Sequence, residues 1–356
     1  MISRKRFRNF FYFFCNSLTN FTILAKHKKE NEYKFRNILQ LFLLFLLWTE
    51  KGIGIVLCKK VKTKQTIYNP DLHRDFFLTK MKEKIAIQGI KGSFHHQVAL
   101  EYFQENIAID ECLSFEALAD SLKNNQSQLA VMAIENSIAG SIIPNYALID
   151  KNNFHIIGEY YLDIIQNLMV LNGQKLEEIQ EVHSHPMALL QCMDFLKKHP
   201  NIKLVEDKDT AETARRIHQN QIKGIAAIGS KVAADLYNLN IIAPEIQTVN
   251  NNMTRFFIIS KEKSQVEKEE INKASIKFEL DDTPGSLATV LNVMTNCKLN
   301  LTKIQSMPII ETPFQYSFFV DVVFEKYKHY EKAVKILEIM TNQFKVLGEY
   351  KNKLIR

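Results

Sequence analysis

Thr254 and Arg255 stand side by side at the end of a polar run, directly before Phe256, Phe257, Ile258 and Ile259. A threonine hydroxyl donates a hydrogen bond or a proton, and a guanidinium grips a carboxylate through two parallel bonds. The pair suits an anionic substrate with an oxygen that must be protonated or stabilised. Alone it carries little weight, because a strand-edge Thr beside a surface Arg is the commoner occurrence. Three further clusters hold side chains of the same kind: Glu135, Asn136 and Ser137 after the apolar run Leu129–Ile134; Ser184 before His185 and Pro186, with Gln191 beyond; and Thr210 after Asp209. Polar groups at the C-terminal end of a strand occupy the place where open α/β sheets bind ligands. The plainer possibility there is a turn, with Asn136 and Ser137 capping the next helix.

These residues need elements to hold them. Phe256–Ile259 is short and rich in aromatic and β-branched residues, which favours a strand. Lys84–Gln88 reads as another strand, turning through Gly89 and Gly92 into a helix that begins around His95 and His96. The glycines let backbone approach a ligand, but the full dinucleotide fingerprint is missing. His95 and His96 read as solvated helix residues, and no third ligand has a metal-site spacing, so no metal is expected. Phe115–Asn124 is a helix and Leu129–Ile134 a buried strand. Ile164–Leu171 is a strand or a hinge crossover. Pro186 suits the first position of a helix over Met187–Lys198, with His185 as its cap. Asp209 or Thr210 caps a further helix, Gly224–Ile228 is a strand, and Ser230 caps Lys231–Tyr237. Strands alternating with helices from 83 to 249 predict parallel βαβ units. Thr254 and Arg255 then return to the first of two lobes, and the polar clusters converge in the cleft between them.

The bulk charge of +7 is unevenly spread. Residues 1–80 carry a net charge of +11 and the remainder −4, so the globular part is mildly acidic and gives no case for nucleic-acid binding. Cys15, Cys58, Cys112, Cys192 and Cys297 are scattered without a CxxC pair. That fits a reducing cytoplasm and argues against a disulfide frame or zinc knuckle. Residues 1–80 hold 11 of the 24 Phe residues and the one Trp, Trp48. Their apolar run Ile38–Trp48 falls short of the roughly 20 residues a membrane span needs. MKEKIAIQGI from Met81 resembles a translation start, so residues 1–80 are read as a non-native or untranslated extension. A membrane anchor, an export signal, or an organellar or regulatory extension are the alternatives. No membrane association is expected for 81–356.

IENSIAGS, HSHPMALLQC, DTAETA, AAIGSKVAA and NNMTRF occur in the order and rough spacing of the prephenate dehydratase family. GIKGSFHHQVA resembles that family's opening loop, with Ile90 where Pro is usual and Ser93 where Thr is usual. The resemblance covers about 83–350. It implies a two-lobed α/β catalytic domain over 81–260, similar to type 2 periplasmic binding proteins. Lobe 1 would comprise 83–160 and 250–260, and lobe 2 would comprise 161–249. It implies a carbon–oxygen lyase that converts prephenate to phenylpyruvate, water and carbon dioxide, with no metal or organic cofactor. Carried onto this chain, the implied catalytic residues are Thr254, Glu135, Asn136, Ser184 and Gln191. Arg255, Thr210, Ser137 and Phe256 would bind substrate. Arg255 is expected either to hold a carboxylate or to support the Thr254 loop, and Glu135 either to relay a proton or to hold its own loop. Arogenate, the aminated relative of prephenate, is an alternative substrate, and a non-catalytic two-lobed sensor is the alternative from another class.

After a charged linker at 261–272, residues 273–350 read as βαββαβ, a ferredoxin-like order. DDTPGSLATVL resembles the opening of an ACT regulatory module. In this family such a module binds L-phenylalanine between paired subunits and inhibits the enzyme, implying a homodimer or homotetramer. The matching effector positions are Gly285, Ser286, Leu287 and Ala288, together with Gln305, Ser306, Met307 and Pro308. Gln305 and Met307 replace the acidic and basic members of the family's Glu-Ser-Arg-Pro signature.

Overall fold

The computed structural model describes residues 83–352 except 105–106, 265, 310–311 and 313–314. The expectations for residues 1–80 and for a start at Met81 lie outside the described residues. The described residues fall in one compact unit. Among the described residues no helix is long and apolar enough to cross a membrane.

The first lobe is built on β1 (Lys84–Gln88), β2 (Ala108–Cys112), β3 (Leu129–Asn136), the short β4 (Gly140–Ser141), β5 (His155–Asp163) and β11 (Met253–Ser260). β1 runs parallel to β2 and β3, whereas β11 is antiparallel to both β3 and β5. Helices α1 (Phe94–Phe103), α2 (Phe115–Lys123) and α3 (Ile143–Lys151) pack on this sheet. Ser93 and Ser114 start the first two helices by accepting from His96 N and Ala117 N, which satisfies amides that have no partner inside the helix.

The second lobe has its own five-stranded sheet in the order β10-β6-β9-β7-β8. Its strands are β6 (Asn167–Val170), β7 (Glu181–Ser184), β8 (Lys203–Glu206), β9 (Ile225–Gly229) and β10 (Asn240–Ala243). Between them lie α4 (Pro186–Gln191), α5 (Met193–Leu196), α6 (Thr210–Asn220) and α7 (Lys231–Leu236). The single helix expected over Met187–Lys198 is broken at Cys192. There the crossing chain intervenes: Thr248 N donates to the Gln191 carbonyl at 2.7 Å, and Thr248 Oγ1 accepts from Asp194 N at 3.2 Å. Those bonds draw the helical ladder apart at one turn.

Two segments join the lobes side by side. Ile164 N donates to Asn252 O at 2.7 Å, and Ile246 N to Gln166 O at 2.9 Å. Beyond this hinge the lobes also meet through the Gly89–Gly92 turn. Ser230 Oγ donates to Gly92 O at 2.7 Å and Tyr237 OH to Lys91 O at 2.6 Å. Gly89 is required at this approach: its φ is +89°, and a Cβ would lie 2.6 Å from Asp209 Oδ2.

The tail comprises β12 (Lys273–Glu279), α8 (Ser286–Asn296), β13 (Asn300–Pro308), β14 (Tyr316–Val323), α9 (Tyr327–Met340) and β15 (Asn342–Tyr350), in the strand order β13-β14-β12-β15. This is the βαββαβ arrangement with its central strands antiparallel. One face packs Ile276, Phe278, Val320 and Val322 against Val290, Met294, Tyr330 and Leu337 of its helices. The other face meets the first lobe, where Phe319, Leu347 and Tyr350 join Tyr146 and Ile149 in a shared core. The tail and lobe 1 sheets are continuous through one parallel register pair, Gly348 opposite Ile156. A Cβ at Gly348 would overlap the Ile156 carbonyl oxygen, so the seam closes only on glycine.

Candidate active site

β3 and β11 bring the first two clusters together. Glu135 and Asn136, expected in a loop, are the last two residues of β3 and pair with Arg255 and Thr254 of β11. The strand runs two residues longer than its apolar stretch because β11 continues to supply ladder partners. Phe256 then pairs with Ala133, so Ile134 is an extra residue on β3. This bulge matters for direction. Ala133 and Asn136 are three positions apart, and strict alternation would turn them to opposite faces. With the bulge, both line the cleft beside Thr254 and Phe256.

The cleft has a volume of about 280 Å³ and lies between the lobes. Gln191, His185, Lys208, Asp209 and Thr210 face it from lobe 2, and Gln166 from the hinge. In its wall the orientation of the Asn136 amide is fixed. Its Oδ1 accepts from Ile138 N at 3.0 Å and Ala139 N at 2.8 Å, so Nδ2 must be the donor. That nitrogen donates to Thr254 Oγ1 at 2.9 Å and to Asn252 Oδ1 at 2.7 Å. Thr254 therefore receives a hydrogen bond on its oxygen and keeps its own proton to give. No acceptor among the described residues takes that proton, and Thr254, 8% exposed, lines the cleft wall.

His95 corrects an expectation: it and His96 are buried, not solvated. β1 ends its pairing at Val131, and His95 Nε2 accepts the Ala133 N–H beyond it at 3.3 Å. Accepting at Nε2 leaves the neutral ring's proton on Nδ1. Burial lowers its pKa from 6.5 to about 3, so it is a neutral ring in the cleft wall, edge-on to Phe256 at 5.0 Å. Asp209 moves the other way. Burial raises its carboxyl above the usual range, although Ala211 N and Glu212 N donate to it at 2.7 and 3.2 Å. Gln166 Nε2 donates to Gln191 Oε1 at 3.2 Å, and Gln166 Oε1 is a buried acceptor without a partner. Among the described residues no cluster of His, Cys, Asp or Glu could hold a metal ion.

Of the residues expected here, the structure gathers Thr254, Asn136, Gln191, Thr210 and Phe256 and turns four others away. Ser184 is fully buried and donates to Ile228 O at 2.8 Å, tying β7 to β9. Ser137 stitches its turn to Asn251 O and Met253 N. Glu135 pairs with Lys303 of the tail at 2.7 Å. Arg255, one residue from Thr254, lies on the opposite face of β11 as strand alternation requires. Its guanidinium is committed to Glu159 at 2.8 Å, Asp321 at 2.5 Å and Tyr350 at 3.1 Å, with 5% of its side chain exposed. The substrate-binding placement of Arg255 is thus replaced by a buried structural one, and among the described residues Lys208 is the cation that lines the cleft. Gln166, Asp209 and His95 were missed as site residues. The polar triple at 207–209 and the paired histidines were visible, but nothing local showed that they face a cleft. The positions expected to hold an effector sit at the start of α8, where Gly285 has a φ of +88°, and along the end of the edge strand β13. Gln305 Nε2 bonds the Ser306 carbonyl at 2.9 Å, and Met307 packs against the core shared with lobe 1.

The prephenate dehydratase family model matches residues 85–264. A prephenate dehydratase from Methanocaldococcus jannaschii is 35% identical over 266 residues, covering 73% of this chain and 95% of that one. The chain belongs to the prephenate dehydratase family. Another relative, the arogenate dehydratase/prephenate dehydratase 2 of Arabidopsis thaliana, is 34% identical over 75% of this chain and 72% of its own length. Among solved structures, a prephenate dehydratase from Arthrobacter aurescens in complex with L-Phe shares the fold at a TM-score of 0.69 and 23% identity, covering 76% of this chain and 90% of that one. A quorum-quenching acylase, GqqA, shares it at 0.70 and 24%, covering 76% and 98%. The family fold thus carries more than one named activity, so the chemistry of this chain must be argued from its own cleft.

Proposed function

We propose that this chain converts prephenate to phenylpyruvate, water and carbon dioxide. One observation carries the reading: Asn136 donates to Thr254 Oγ1, which leaves the Thr254 proton free at the cleft wall. Prephenate loses its ring carboxylate as carbon dioxide. The electron pair left behind enters the ring, the bond to the ring hydroxyl breaks, and the departing oxygen takes a proton to leave as water. The product ring is aromatic, so the enzyme's task is to hold the dianion and ease departure of a poor leaving group. Thr254 donates a hydrogen bond to that departing oxygen. An unaided threonine is far too weak an acid to give up its proton, and Asp209, whose carboxyl is raised by burial, is the candidate proton source. Lys208 supplies positive charge for a carboxylate. Gln166, Gln191 and the neutral His95 orient the rest of the substrate.

L-phenylalanine is proposed as a feedback effector at Gly285–Ala288 and Gln305–Pro308, with the tail as an ACT regulatory module and a homodimer or homotetramer as the working form. In support, the related Arthrobacter protein was solved with L-Phe bound. Arogenate is the second substrate to test, because a relative carries both substrate names.

The test is phenylpyruvate formation by the full chain, with prephenate and arogenate in parallel and with L-phenylalanine added. Turnover of prephenate that collapses in Thr254→Ala supports the reading. A folded protein inert toward both compounds overturns it and leaves a binding role for the cleft.

A further inference from the structure

The tail holds the residues next to two that line the cleft. Asn136 and Thr254 form one rung of the β3–β11 ladder and face the cleft; Glu135 and Arg255 form the adjacent rung and face the tail. Each of the latter is gripped from the tail. Lys303 of β13 pairs with Glu135 at 2.7 Å and donates to Ser141 Oγ at 2.6 Å, so one ammonium holds both arms of the β3–β4 hairpin. Asp321 of β14 pairs with Arg255 at 2.5 Å. The second grip is a closed ring of hydrogen bonds: Arg255 donates to Tyr350 OH, Tyr350 bonds Ser275 Oγ at 2.7 Å, and Ser275 donates to the other oxygen of Asp321 at 2.5 Å. Lys273 and Glu159 complete a buried set of two cations and two carboxylates.

Neighbouring residues on a strand share a peptide plane, so a force on the Glu135 or Arg255 side chain moves the backbone that carries Asn136 or Thr254. The bulge at Ile134 adds to this, because it leaves β3 with fewer ladder bonds to resist rotation where Asn136 must be aimed. From this geometry we infer that Lys303, acting through Glu135, and Asp321, acting through Arg255, are positioning residues that set the alignment of Asn136 with Thr254. The inference rests on the dehydratase reading for its kinetic test but not for its structural one.

Lys345 provides the internal control. It is a tail lysine on the same docking face and pairs with Asp150 of α3 at 2.7 Å, away from the β3–β11 ladder. In the full chain, Lys303→Met should lower kcat about tenfold with little change in KM, since small misplacements of reacting groups carry large rate penalties. Lys303→Arg should restore kcat. Lys345→Met should lower the melting temperature by a similar amount to Lys303→Met and leave kcat unchanged. The charge swap Glu135→Lys with Lys303→Glu should recover kcat lost in each single variant. Equal kcat in Lys303→Met and wild type, or an equal loss in Lys345→Met, overturns the inference. A swap that stays inactive while folded does the same, because it would mean that Glu135 works in its own right. If the wild type turns over neither substrate, the dehydratase reading has failed, and the positioning claim is decided by the amide NMR resonances of Asn136 and Thr254. They should shift in Lys303→Met but not in Lys345→Met; unmoved resonances overturn it.

Discussion

The two faces of the β3–β11 ladder are made from adjacent residues and are in opposite states. On the cleft face stand Asn136, Thr254, Phe256 and a neutral His95, few in number, with a hydroxyl proton unclaimed. On the tail face stand Glu135 and Arg255, with Glu159 of the neighbouring β5, and they pair with Lys303, Asp321 and Lys273. One face leaves capacity for a substrate, and the other has none to spare. The difference shows how a strand can serve reaction and assembly together: a period of two sends each duty to its own side. It also separates what substitutions should do, with cleft-face changes altering rate and tail-face changes altering stability first.

The largest effect is expected on the tail face. Arg255→Ala leaves Asp321 buried without its cation and Glu159 with Lys273 alone, which should cost about 3–5 kcal/mol of folding stability in urea denaturation. A loss confined to rate would break the comparison. Thr254→Ala tests the other side. It should raise the barrier by on the order of 3–4 kcal/mol, seen in kcat, and leave the unfolding midpoint near wild type. Gly348→Ala forces a carbon into the seam between β15 and β5 and should cost about 1–3 kcal/mol in the same denaturation experiment. The smallest effect at neutral pH belongs to His95→Gln. His95 has a folded pKa of about 3 against 6.5 unfolded, so the unfolded chain binds the proton first as pH falls. Its contribution is complete above pH 6.5 and is lost on descent from 6.5 toward 3. Denaturation midpoints measured between about pH 7 and pH 4 should therefore fall less steeply in His95→Gln than in wild type. Asp321 adds to acid sensitivity with the same sign. Burial would raise its carboxyl, but Arg255 and the Ser275 hydrogen bond outweigh that and hold it below the usual range. Its stabilisation is present at neutral pH and is lost as pH falls through that lowered value.

Much of this arrangement is legible in the sequence, and the gaps have physical causes. Phe256–Ile259 announces a strand by composition, and Thr254, Asn136, Gln191 and Thr210 stand in the family's motifs; all four face the cleft. Arg255 misleads because alternation fixes that it opposes Thr254 without saying which side holds the ligand. The bulge at Ile134 has no glycine or proline to mark it, being imposed by pairing with β11. The interruption at Cys192 comes from Thr248, a residue more than fifty positions away. The tail's β12 alternates polar and apolar, which ordinarily signals one face toward water. Here Lys273 and Ser275 are 3% and 2% exposed, and the polar face is the docking surface.

The seam at Gly348 has a consequence for how this chain can change over generations. Any amino-acid replacement there adds at least one carbon where the Ile156 carbonyl already lies. Every single-residue change at this position therefore works against the β15–β5 contact, so the position can drift only at a cost to the seam.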